Sequence, residues 1–160
     1  MQATTQSERT PMLNAYQAPT FSYDDRVLFD RLVAYDHWTR RADARVDFLA
    51  LRQSIEHHFS VEGRPAVEPI LCLKLELIMF HDGLSDRQVF AKAKTDIAYR
   101  MFLGLGLNDH LPDVSTLRGF RSRLGVEGHQ QVFHALLSQA RGHGLVKDRL
   151  RIKDATHMLA

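Results

Sequence analysis

The sequence predicts a mainly α-helical fold, a multi-helix bundle with a helix-turn-helix-like unit, ending in a single β-strand stub. Three observations lead there. Apolar residues recur at three- and four-residue spacing through most of the chain, capping residues stand ahead of those runs, and period-two alternation is confined to the last dozen residues. The 160 residues, 44% hydrophobic, suffice for one core-forming domain, which argues against wholesale disorder.

The order of elements follows from local signals. Residues 1–20 read as a polar flexible tail with Pro11 and Pro19. Ser22 can cap a helix starting at Tyr23, where Val27, Leu28, Arg31, Leu32 and Tyr35 keep helical spacing. Asp47 can cap the next, with Val46 and Leu51 as its staple, an apolar stripe of Phe48, Leu51, Ile55 and Phe59, and a stop at Gly63-Arg64-Pro65. Pro69 suits a first helical turn, and the run from Ile70 to Phe80 is apolar on nearly every side, as a central helix would be. Gly83 stops it. Ser85 and Gln88 form a capping box for a helix over about 86–93, and Thr95 can cap another ending near Gly104. Breakers fill 104–112. Asp113 or Ser115 can then cap a helix to Leu124, and Gly125 separates it from a last helix, Val126 to Arg141. These helices form one domain over 21–146. From Arg149 to Leu159, Leu150, Ile152 and Asp154 alternate with Arg149, Arg151 and Lys153, so 147–160 reads as a lone strand. A lone strand has nothing to pair with in a helical domain.

Several function classes drop out. The single Cys72 makes no internal disulfide and anchors no cysteine-based zinc site. The longest apolar stretch is far shorter than the roughly 20 residues of a membrane span, and the start lacks a signal-peptide pattern, so a soluble cytoplasmic chain is expected. His57-His58 and His81-Asp82 lack metal-ligand spacing and read as helix-end surface histidines. Ser54, His57 and Asp47 share a helix rather than a hydrolase elbow. Charge is uneven: from Asp113 onward there are 8 Lys/Arg against 4 Asp/Glu, a weak pointer to a polyanion.

Two places could carry chemistry. On the helix from Ser115 to Leu124, the residues Leu117, Phe120 and Leu124 share the buried side. Ser115, Arg118, Gly119 and Ser122 then point outward, with Arg123 on the flank. Small residues among arginines let a helix approach a DNA groove, where arginine bonds phosphate or guanine. The same pattern also fits a solvated amphipathic helix. Arg121 falls nearer the apolar side and is expected to be ion-paired. Asp154 shares a strand face with Leu150 and Ile152, which is costly unless it holds a proton, cation or metal; alternatively it lies at a strand end in solvent.

Several blocks resemble the N-terminal helical domain of bacterial insertion-sequence transposases with a DDE nuclease, of the insertion-sequence-five type. They are Gly63-Arg64-Pro65-Ala66, Glu68-Pro69 with the apolar helix after it, Gly83-Leu84-Ser85-Asp86-Arg87, Asp96 to Leu105, and Leu111 to Leu124. The resemblance covers about residues 21–160. It implies a DNA-binding domain followed by an RNase H-like domain, in whose first strand Asp154-Ala155-Thr156 looks like the position of the first catalytic aspartate. It also implies DNA transposition with three carboxylates and Mg2+. Only six residues follow Asp154, so a chain without the family's second Asp and its Glu is expected. The expectation is a chain that is catalytically inactive alone, needs no cofactor itself, and is nucleoid-associated. Its partner would be double-stranded DNA at the element's terminal inverted repeats, contacted by Ser115, Arg118, Ser122 and Arg123, with Arg149, Arg151 and Lys153 on the backbone. A rival expectation is a helical dimerisation module, as a homodimer or with a full-length transposase. An active nuclease would need acids from another chain.

Overall fold

The computed structural model describes residues 12–60 and 63–146. Among these, seven α-helices and one 3-10 turn form the domain, and no strand occurs. The helices are α1 (Tyr23–Leu32), α2 (Trp38–Arg45), α3 (Phe48–Ile55), α4 (Pro69–Asp82), α5 (Asp86–Thr95), α6 (Ile97–Leu103) and α7 (Ser115–Gly142), with the 3-10 turn Glu56–His58 after α3. The strand expected at 147–160 lies outside the described residues, as do Arg149, Arg151, Lys153 and Asp154.

Most helices start where the sequence places a cap. Ser22 Oγ accepts the Asp25 amide at 3.0 Å, and Asp47 Oδ1 accepts that of Ala50 at 2.9 Å. The capping box of α5 is closed in both directions: Gln88 Oε1 takes the Ser85 amide, and Ser85 Oγ takes that of Gln88. Gly83 ends α4 in the left-handed conformation, φ 65°, which costs glycine nothing.

Four expectations are corrected. The first helix does not run to Tyr35. It ends at Leu32, where the Val33 amide still donates to Phe29 O, and Arg40 Nη2 adds hydrogen bonds to the carbonyls of Phe29 and Val33. The separate α2 that supplies Arg40 carries only Trp38, Ala42 and Ala44 as apolar residues, and its cap is the ring of His37, so neither periodicity nor the usual capping residues announce it. Helix α3 stops at Ile55, with the 3-10 turn carrying the chain to Phe59, well before Gly63. Finally, Thr95 is the last residue of α5 and Asp96 caps α6, its Oδ1 accepting the Tyr99 amide at 3.1 Å. Carboxylate acceptors suit a helix start because the macrodipole is positive there.

Helix α4 packs against α3, α5, α6 and α7, while α1 and α2 lie on α6, and α3 runs along α7. Leu75 and Ile78 of α4 are fully buried, each contributing about 1.5–3 kcal/mol of apolar burial. Lys74 is buried too. Its Nζ donates to Asp43 Oδ1 at 2.6 Å and lies 4.8 Å and 4.7 Å from the ring centres of Phe48 and Phe102, which offsets the cost of removing an ammonium from water. One residue breaks the central pattern: Phe80 faces solvent.

Part of the expected flexible tail is docked. The Ala66 amide donates to Met12 O at 2.8 Å, and the Arg52 guanidinium, itself paired with Glu68 and Glu56, donates to Asn14 O at 2.6 Å. Pro19 sits so close to Gly104 that a Cβ there would lie 2.5 Å from its Cγ. Residues 12–20 are therefore held on the core by their backbone, and the side chains of Met12, Leu13 and Tyr16 pack against it as well.

Candidate nucleic-acid interface

The first half of α7 is set at both ends. Asp113 Oδ1 accepts the Ser115 amide at 2.8 Å, and hydrogen bonds from the Ser115 hydroxyl and amide hold the Asp113 carboxyl below its ordinary pKa. At Gly125 the backbone turns to φ 57°, ψ −163°, a conformation open to glycine, so the 115–124 and 126–142 segments are two helices joined at a kink. The separation expected at Gly125 is present as that kink. His129 Nδ1 spans it, paired with Gly125 O at 2.7 Å.

Between those ends the faces are divided as the spacing demands. Leu117, Phe120 and Leu124 are buried, and Ser115, Arg118, Gly119, Ser122 and Arg123 are exposed. A Cβ added to Gly119 would meet nothing within 4 Å, so the surface between Arg118 and Ser122 is open to close approach. The three arginines have three different situations. Arg121 is fully engaged: Nε donates to Glu76 Oε1 at 2.8 Å, and Nη1 to both Asp86 oxygens at 2.8 Å and 3.0 Å. Burial opposes its charge, but the bonds to Asp86 and Glu76 outweigh it and raise its pKa. Arg123 lies over the Phe59 ring at 5.2 Å, its guanidinium still exposed. Arg118 has no hydrogen bond or ion pair to any described residue.

The Arg121 pairs fasten the 115–124 helix to α4 through Glu76 and to the start of α5 through Asp86. They also bring one residue that the sequence reading passed over. Arg87, exposed and next to Asp86 in the first turn of α5, is a cation at the positive end of a helix with no described partner. A basic residue at that unfavourable position was the signal available in the sequence. Lys94 is a further exposed cation on α5.

The remaining polar clusters are internal ties. Asp82 accepts hydrogen bonds from Lys92 at 2.6 Å and from the Tyr99 hydroxyl, and pairs with His81 at 2.7 Å. Burial pushes its pKa up, but those three partners overrule burial and hold it well below the carboxylate range. Burial first, then the bond to Asp82, pushes the Tyr99 hydroxyl up to about 12, so it stays a protonated donor. His81 also stacks on Trp38, ring centres 4.0 Å apart, tying α2 to the end of α4. His58 is bonded to Gln131 at 2.9 Å. The Cys72 thiol, buried, is pushed up to about 12 and is no nucleophile. Among the described residues no group of three or more His, Cys, Asp and Glu is placed to hold a metal ion, and no helix is long and apolar enough to cross a membrane.

No curated protein and no solved structure matches the chain. A family match does exist: the family described as Transposase domain (DUF772) matches residues 27–123, from within α1 to the penultimate residue of the 115–124 helix. The match therefore takes in the second half of α1, all of α2 to α6, the Arg121 pairs and all the exposed residues of that helix. The chain belongs to this transposase-domain family.

Proposed function

We propose that this domain is the DNA-recognition part of an insertion-sequence transposase of the DDE type, reading the element's terminal inverted repeats. The observation that carries the reading is the contrast between Arg121 and Arg118. One arginine is used up in anchoring the 115–124 helix. The other, three residues earlier, is held out with no described partner beside the open surface at Gly119. Arg118, Ser122 and Ser115 are the residues aimed at a groove, and Arg123 and Arg87 flank them toward phosphates. In a helix-turn-helix arrangement α5 would brace this helix, and the Asp86–Arg121 pair supports that role. Arg149, Arg151 and Lys153 would add contacts to the DNA backbone, and Asp154 would be the first acid of a Mg2+-binding set completed elsewhere.

The test is a salt titration of binding to labelled terminal-repeat DNA. Each phosphate contact contributes about 0.9 to the slope of log K against log salt, so Arg118→Ala with Arg123→Ala should lower the slope by roughly 1–2 and weaken binding. A slope equal to that of the unaltered chain discards the assignment.

A further inference from the structure

The 126–142 segment has a second exposed face that DNA recognition does not use. Its inner side packs on the core through Val132, Ala135 and Leu136, and Gln139 exchanges hydrogen bonds with the Asp47 backbone. At 100° per residue, Val126, Phe133, Leu137 and Ala140 then fall within about 60° of one another on the outer side. Val126 is 76% and Phe133 62% exposed, and Leu137 and Ala140 are half-buried. Phe80, 85% exposed at the end of α4, borders the same groove system, which Met79, Leu84, Val126 and Phe133 line and Arg121 and His129 floor. Spacings of seven, four and three residues are those of a helix seam that meets another helix.

The charges beside the seam specify the occupant. Glu127, His134 and Arg141 follow one another at seven-residue intervals along one flank, all exposed. Glu127 has only a long hydrogen bond from Gln131 at 3.5 Å, and the Arg141 side chain has no described partner. Acid and base are thus equidistant from His134. A two-fold axis at His134 that pairs this helix antiparallel with its own copy places like flanks together, so Glu127 meets the second copy's Arg141, and Arg141 meets its Glu127. Pairing in the parallel sense, about an axis along the helices, would instead put the two flanks on opposite sides of the seam, where Glu127 and Arg141 find no opposite charge in this set.

We infer that the 126–142 helix is a self-association surface, on which a second copy of this chain docks antiparallel about His134. The seam buries Phe133 and Val126 of both copies, two Glu127–Arg141 pairs fix the direction, and Phe80 widens the contact beyond what a helix of roughly 24 Å offers alone. This surface is independent of Arg118, so the DNA-binding reading stands or falls separately.

Sedimentation equilibrium on the full chain tests it. A concentration-dependent dimer in the micromolar range is expected, and Phe133→Asp should give a monomer whose thermal midpoint equals that of the unaltered chain measured well below the dimer Kd. Glu127→Arg or Arg141→Glu alone should raise the dimer Kd by on the order of tenfold, since each turns two attractions into repulsions, and the double swap should restore it. A chain that stays monomeric overturns the proposal. So does a dimer indifferent to the single swaps or not restored by the double one.

Discussion

Replacing Arg121 by alanine removes at once its bonds to Glu76, Asp86 and the Met79 sulfur. The cost is set mainly by what stays behind. The Glu76 side chain is only 11% exposed, and a carboxylate stripped of its partner in such a place costs about 3–5 kcal/mol when burial is complete. Two features reduce that figure. His129 Nε2 lies 3.6 Å from Glu76 and can take over part of the pairing, and the Asp86 side chain is one-third exposed, so its own loss is worth at most about 1 kcal/mol. The net destabilisation is about 2–3 kcal/mol, or a thermal midpoint lower by on the order of 5–10 °C in a domain of this size. Urea unfolding followed by circular dichroism measures it. Replacing both partners, Arg121→Met with Glu76→Leu, should recover most of the loss, because no charge is then stranded. The salt slope of DNA binding by folded Arg121→Ala should match that of the unaltered chain. A destabilisation below about 0.5 kcal/mol, the level of an ordinary surface change, would refute the account of Arg121 as the fastening of this helix.

Other perturbations follow from the same geometry. Asp82 has its pKa lowered in the folded state, so its stabilisation is full above the unfolded value of about 3.9 and is lost as pH falls below it; Asp82→Asn should flatten the fall in stability between about pH 5 and pH 2. An equally steep fall in the variant would show that the ties from Lys92, Tyr99 and His81 are not what acid breaks. Asp96→Ala should cost about 1 kcal/mol by removing the α6 cap, while Thr95→Ala should stay within about 0.5 kcal/mol, and denaturant midpoints of the two decide which residue starts that helix. Gly104→Ala should cost roughly 2–3 kcal/mol, since φ of 77° strains any side chain and the new Cβ would strike Pro19. Limited proteolysis should then cut the 12–20 segment faster, and an unchanged cleavage rate would mean that Pro19 is not held there.

What the sequence alone determined lies within a turn or two of chain. Ser22, Asp47 and the Ser85–Gln88 box start their helices because a cap bonds an amide two or three residues on, and Leu117, Phe120 and Leu124 mark a buried side because helical geometry repeats them on one face. The outward direction of Arg118 and the inward lean of Arg121 were legible for the same reason. Tertiary structure decided everything that needed a partner distant in sequence. Arg121 finds Glu76 across 45 residues, Asp47 finds Gln139 across 92, and α2 exists because Trp38 can stack on His81 and Arg40 can close α1, none of which leaves a mark on its own eight residues. The docking of 12–20 and the exposure of Phe80 and Phe133 belong to the same class. The 12–20 segment is held in part by carbonyls that every residue possesses, and an apolar side chain, Tyr16 there or Phe133 elsewhere, is buried or exposed according to which neighbour arrives, a choice made by packing and not by the residue itself.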